Sequence, residues 1–215
     1  MRRAALAALL LQAPVPALAD CEVLQPLQPT VTVATGEPAE PRLVAATTAE
    51  IRSRAARSGS GLPAGAMARG LTVDDLAAEA RTTLSMVTRG QGRCVALQAI
   101  DGTVRSRAVE VLIDRDYRPG SCQYRVILEH EREHVRINAG ALARLGELLE
   151  QRLRELADRW AGRWLPAGGE AGLEEELGQA LEEATREARG EAEERHRAID
   201  TAEAYAAVQA RCERW

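Results

Sequence analysis

Residues Tyr124 to Asn138 read Tyr-Arg-Val-Ile-Leu-Glu-His-Glu-Arg-Glu-His-Val-Arg-Ile-Asn. Within them His130, Glu131 and His134 stand in the spacing His-Glu-x-x-His. On a helix, positions i and i+4 share one face, one turn apart. Two imidazoles so arranged can hold one zinc ion, and the Glu beside the first points where it can act as a general base toward water. The apolar run Tyr124, Val126, Ile127 and Leu128 buries the leading end of that helix.

The helical period continues beyond the motif. Ile127, His130, His134, Ile137, Ala141, Leu145, Leu148, Leu149, Leu153, Leu156, Trp160 and Trp164 form one face, so a helix is expected from about Cys122 to Trp164, with Ser121 as N-cap. Leu165 to Ala171 reads as a compact turn. A second helix follows with Leu173, Leu177, Leu181, Ala184, Ala188 and Ala192 on one side. The two make an antiparallel hairpin with Glu and Arg on its outer faces.

Upstream, Thr30 to Val33 alternates as a short strand, and Ala45 to Arg57 has helical composition. Residues 58–70 are rich in Gly, Ser and Pro and read as a loop. Thr72 and Asp75 read as a capping box opening a helix. Between Thr83 and Tyr117 the period becomes two, and Asp101-Gly102 gives a hairpin turn signal. The expected fold class is α+β: a small antiparallel sheet followed by a long antiparallel helical hairpin that carries the motif.

The N-terminus has the pattern of an export signal. Arg2 and Arg3 precede the short apolar run Ala4–Leu11, and Ala17-Leu18-Ala19 is a cleavage pattern. Residues 1–19 are therefore expected to be removed. Residues 20–215 form one domain, made of an irregular segment (20–70), a helix plus small sheet (72–117) and the helical hairpin (122–215). No later stretch is apolar enough to span a membrane. The expected location is the periplasm or the extracellular space. A net charge of −4 gives no reason to expect nucleic acid as a partner. The four Cys suit two disulfides in an exported chain, for which Cys94–Cys122 and Cys21–Cys212 are the favoured pairs.

A catalytic zinc site needs a third protein ligand. His196 continues the Ala184, Ala188, Ala192 stripe and so faces the first helix. A hairpin folded about Gly168, however, sets Ala204 opposite the midpoint of His130 and His134, leaving His196 roughly 12 Å off along the axis. Asp200 and Glu203 fit that register better, although Asp200-Thr201-Ala202-Glu203 also reads as a capping box. His196 is the favoured third ligand, with Asp200 or Glu203 as alternatives. Tyr124 and Tyr205 are candidates to stabilise the oxyanion of a tetrahedral intermediate.

The motif stretch resembles the zincin metallopeptidases. More narrowly, the chain is similar to a group of small exported bacterial proteins described as zinc-dependent proteases. The similarity is carried by Gly120-Ser121-Cys122-Gln123-Tyr124-Arg125, His130-Glu131-Arg132-Glu133-His134, Asn138, Asp200-Thr201, Cys212 and Trp215. It implies His130 and His134 as metal ligands, Glu131 as base, zinc as cofactor and a peptide or protein as substrate. The charged pair Arg132 and Glu133 departs from the uncharged residues usual inside the zincin motif. The other reading is a non-catalytic periplasmic binding or envelope-associated protein, with the metal site structural or vestigial.

Overall fold

The computed structural model describes residues 21, 22, 24–58, 68–90 and 92–215. The export-signal expectation for residues 1–19 lies outside them. The elements in chain order are β1 (Thr30–Thr35), β2 (Pro41–Ala46), α1 (Thr48–Ser58), β3 (Gly70–Arg89), β4 (Gly92–Asp114), α2 (Cys122–Trp160), β5 (Leu165–Pro166), α3 (Ala171–Ile199) and α4 (Ala202–Ala210).

A five-stranded mixed sheet is built around β4. Along one edge β4 pairs antiparallel with β3, from Gly92 opposite Arg89 to Ile113 opposite Gly70. Its other edge is shared end to end by β5 (antiparallel), β1 (parallel) and β2 (parallel). This corrects the expected fold of a small antiparallel sheet followed by a helical hairpin. The sheet is long and includes parallel pairs, and among the described residues four helices accompany it. Parallel pairing joins segments far apart in sequence and leaves no local turn signal.

The helix expected from Thr72 is likewise corrected: this segment belongs to β3. Its Leu76, Ala77 and Ala80 spacing suits either element, and pairing along β4 decides the outcome. The hairpin turn lies not at Asp101-Gly102 but next to Gly90, whose φ of +57° favours glycine. Gly102 sits inside β4 for a packing reason. A Cβ there would lie 3.0 Å from Leu153 Cδ1 and 3.1 Å from Val33 Cγ2, so its bare backbone leaves room for Leu153 of α2 over the sheet and for Val33 on the neighbouring strand β1.

The main core lies between β4 and the two long helices. Leu97, Ile100 and Val104 of β4 meet Leu142, Leu145, Leu149, Leu153 and Leu156 of α2. Leu173, Ala180, Ala184 and Ala188 of α3 complete it, and the small side chains let α3 approach α2 closely. Leu149 is fully buried, and its truncation to Ala would cost about 2–5 kcal/mol. A smaller cluster of Val111, Ile113 and Ile127 fixes the start of α2 on the end of β4. Ser121 caps that start, its hydroxyl accepting from the Tyr124 amide at 3.1 Å.

Both disulfides form, but with a different connectivity from that expected. Cys21 joins Cys94, and Cys122 joins Cys212. Cys94 is near the start of β4 and Cys122 follows its far end. At about 3.3 Å per residue, the strand from Cys94 to Asp114 spans roughly 65 Å, beyond any direct bridge. Paired cysteines fit a chain exported to an oxidising compartment. No helix among the described residues is long and apolar enough to cross a membrane.

Candidate metal centre

α2 presents His130 and His134 toward the junction of α3 and α4, and turns Glu131 toward β3. The junction is made by Asp200, which ends α3, and Thr201, which caps α4. The Thr201 hydroxyl accepts from the Ala204 amide at 3.1 Å. With the capping role taken by Thr201, the Asp200 carboxylate is left for the two imidazoles.

His130 Nε2 and His134 Nε2 are 3.1 Å apart, and Asp200 Oδ1 lies 3.1 Å from the first and 3.2 Å from the second. Three ligating atoms thus converge in a nearly equilateral triangle, and together they could hold a metal ion. Two ring nitrogens brought this close need at least one of them to present a lone pair. Tyr205 supports the third corner: its hydroxyl donates to Asp200 Oδ1 at 2.9 Å and its ring leans on His130 at 5.5 Å between centroids.

The structure brings Asp200, not His196, to the paired Nε2 atoms. His196 stands behind His134, with Nδ1 atoms 2.7 Å apart, and its Nε2 lies 3.0 Å from Asn138 Oδ1. Glu203 is exposed on α4 and stays outside the cluster. Tyr124 packs against the Val111, Ile113 and Ile127 cluster and does not line the cleft. Glu133 pairs with Arg136 at the surface. Thr72 and Gly70 are the site residues that sequence reading missed, since both fell at a supposed loop and helix start.

Glu131 is only 4% exposed. Its Oε2 accepts from the Thr72 hydroxyl at 2.8 Å. Opposite it, a Cβ on Gly70 would come within 2.8 Å of both Glu131 Cδ and Ile127 Cγ2, so a glycine is needed for this approach. Burial pushes the Glu131 carboxyl up from the ordinary range, opposed by the neighbouring histidines and the Thr72 hydrogen bond. For Asp200 burial acts upward, but hydrogen bonds from His130, His134 and Tyr205 outweigh it and hold the carboxyl well below the usual range. His134 is pulled down by burial, yet Asp200 and Glu131 raise it overall. Burial, aided by the charge of His134, lowers His196 to about 4. Tyr205 is driven upward by burial and then by Asp200, so it stays a hydroxyl donor.

These groups open onto a cleft of about 650 Å³. One wall is the Gly70–Leu76 end of β3, and the other is the Arg189–Arg197 face of α3. Among the described residues β3 pairs with β4 alone, so its cleft-side edge has no strand partner. A register shift between Asp74 and Leu76 kinks the ladder beside the cleft. Arg189 donates to the Leu76 carbonyl at 3.4 Å and bounds that end. Compared with protein-family models, curated proteins and solved structures, the chain matches none.

Proposed function

We propose that this chain is an exported zinc-dependent peptidase of the zincin type. The observation that carries the reading is the His130, His134 and Asp200 triangle beside the buried Glu131. Zinc–ligand bonds of about 2.0–2.1 Å in tetrahedral array need ligand atoms about 3.3 Å apart. The measured separations of 3.1, 3.1 and 3.2 Å suit that requirement. Two nitrogens and one carboxylate oxygen also suit zinc chemically, and three protein ligands leave room for a fourth.

Zinc held there would supply Lewis acidity toward a substrate carbonyl and a water molecule. Glu131 lines the same cleft, and its raised affinity for a proton fits a group that takes one from water and returns it to a leaving amine. Tyr205 orients Asp200, and its hydroxyl is committed there. The unpaired Gly70–Leu76 edge suits an extended peptide, whose backbone can add to it as a strand.

The second reading is a metal-binding protein without hydrolytic activity. The near-complete burial of Glu131 and its bond to Thr72 favour it. One experiment divides the two. Zinc-loaded wild type and Glu131→Gln are offered an unbiased peptide library. Cleavage by wild type alone, with equal zinc in both, supports the peptidase. Zinc in both without cleavage by either supports the binding protein.

A further inference from the structure

His196 sits in the second layer around the cluster and touches neither His130 nor Asp200 in any observed hydrogen bond. Its place is set by the fold. It lies four residues beyond Ala192, which continues the buried Ala184 and Ala188 stripe of α3, so it faces α2. Asn138 lies one turn beyond His134 on α2, so both meet the same side of α3.

The proton positions follow from donor and acceptor chemistry. Asn138 Oδ1 is an amide oxygen and carries no proton. The 3.0 Å contact therefore requires the proton on His196 Nε2. A neutral imidazole has only one such proton, so His196 Nδ1 presents a lone pair. That lone pair faces His134 Nδ1 at 2.7 Å. Two lone pairs at this distance repel, so His134 Nδ1 carries the proton. When His134 is neutral its Nε2 is then bare, and that is the atom that faces His130 Nε2 and Asp200 Oδ1; in the protonated ring the same atom donates to Asp200.

We infer that His196, anchored by Asn138, is a positioning residue that directs the single proton of neutral His134 to Nδ1, so that Nε2 is left for a metal. Without the relay, Asp200 Oδ1 would draw the imidazole proton onto Nε2, and an unconstrained imidazole in water already prefers that tautomer. A metal would then have to displace the proton. The relay does for His134 what a carboxylate or backbone carbonyl does behind many metal-bound histidines. This inference rests on the reading of His130, His134 and Asp200 as metal ligands, but its proton assignment can be read without metal.

The test is long-range nitrogen–proton NMR on histidine-labelled, metal-free full chain, titrated upward from about pH 8.5 until His134 is neutral, since its proton is held above the ordinary histidine range. The expected spectrum has His134 protonated at Nδ1 and bare at Nε2, with His196 protonated at Nε2 and bare at Nδ1. Asn138→Leu should move His134 toward the opposite tautomer. Asn138→Asp, which keeps an acceptor oxygen, should restore the wild-type pattern, and circular dichroism confirms that both variants fold. In zinc competition assays Asn138→Leu should weaken binding about 10- to 100-fold, with the Asp variant close to wild type. A wild-type His134 protonated at Nε2, or a tautomer unmoved by Asn138→Leu, overturns the inference. The expected tautomers in a protein that takes no zinc would uphold the proton assignment and overturn the proposed metal function.

Discussion

His130 Nε2 stands 3.1 Å from Asp200 Oδ1, across 70 positions of sequence. The third corner of the cluster is therefore delivered by the return of α3 along α2, and the site depends on how the α3–α4 junction is held. Asp200→Ala should weaken zinc binding on the order of 100-fold or more while leaving the fold intact. Glu203→Ala should change it little, since Glu203 is exposed on α4. Competition against a chromogenic chelator measures both, and equal losses would contradict the assignment of Asp200.

The Cys122–Cys212 disulfide clamps that junction. α4 has no buried residue. Beyond the disulfide it is held to α2 by the Tyr205 ring against His130 and, just past its end, by Arg211 donating to Glu129 at 2.7 Å. Replacing Cys122 and Cys212 by Ser should loosen α4 and reduce zinc affinity. Removing Cys21–Cys94 should cost about 2–4 kcal/mol of stability while leaving affinity unchanged. Chelator competition and urea unfolding on the two double variants distinguish these effects. Equal zinc affinity in both would show that the clamp does not serve the site.

Glu131→Gln removes a buried charge but keeps an oxygen for the Thr72 hydroxyl. Because burial raises the carboxyl, its ionised form is unfavourable in the folded state. The variant should be more stable by about 1 kcal/mol, bind zinc as wild type does, and lose about 100-fold or more of any peptidase activity. A thermal scan beside a cleavage assay checks the pairing of gain and loss. A destabilised variant would contradict the assigned surroundings of Glu131.

Gly70→Ala inserts a methyl against Glu131 Cδ and Ile127 Cγ2, each 2.8 Å from its position. Overpacking of this kind costs about 1–3 kcal/mol. It should also displace Glu131, so activity falls further than zinc binding. Denaturant midpoints read the first effect and kinetics the second; an unchanged midpoint would contradict the close approach of β3 to α2.

Stability of the metal-free protein should vary with pH through His196. The folded value near 4 lies below the roughly 6.5 of an unfolded histidine. Between them the unfolded chain binds a proton that the folded chain does not. Stability therefore rises with pH across that window and is lost on acidification. His134 acts in the opposite sense. Its raised value favours the folded state below the ordinary histidine range, and that contribution fades as pH climbs through the folded value. His196→Gln should flatten the acid limb. Urea midpoints across the window test this, and an unchanged limb would contradict the burial of a neutral His196.

Much of α2 was legible in the sequence because its signals are local. A serine cap, a sustained 3.6-residue period and His130, Glu131 and His134 within five positions need no tertiary information. Asp200 was half legible: hairpin register pointed toward it, while residue type pointed to His196. The two roles separate only when Thr201, not Asp200, proves to be the cap. The end of β3 was legible in the alternation from Thr83 onward, but its first part was not, since Leu76, Ala77 and Ala80 suit either a helix or a strand, and only the partner strand decides. The parallel pairings of β1 and β2 leave no trace at the turns. Glycine misled as well: Gly102 next to Asp101 resembles a turn, yet serves the packing of Leu153 and Val33.

The most direct test of the account is the zinc content of the purified full chain by native mass spectrometry at neutral pH, alongside His134→Ala. One zinc per wild-type chain, absent from the variant, is the expected result. A wild-type chain that stays metal-free under saturating zinc, or a variant that binds as tightly, would contradict it.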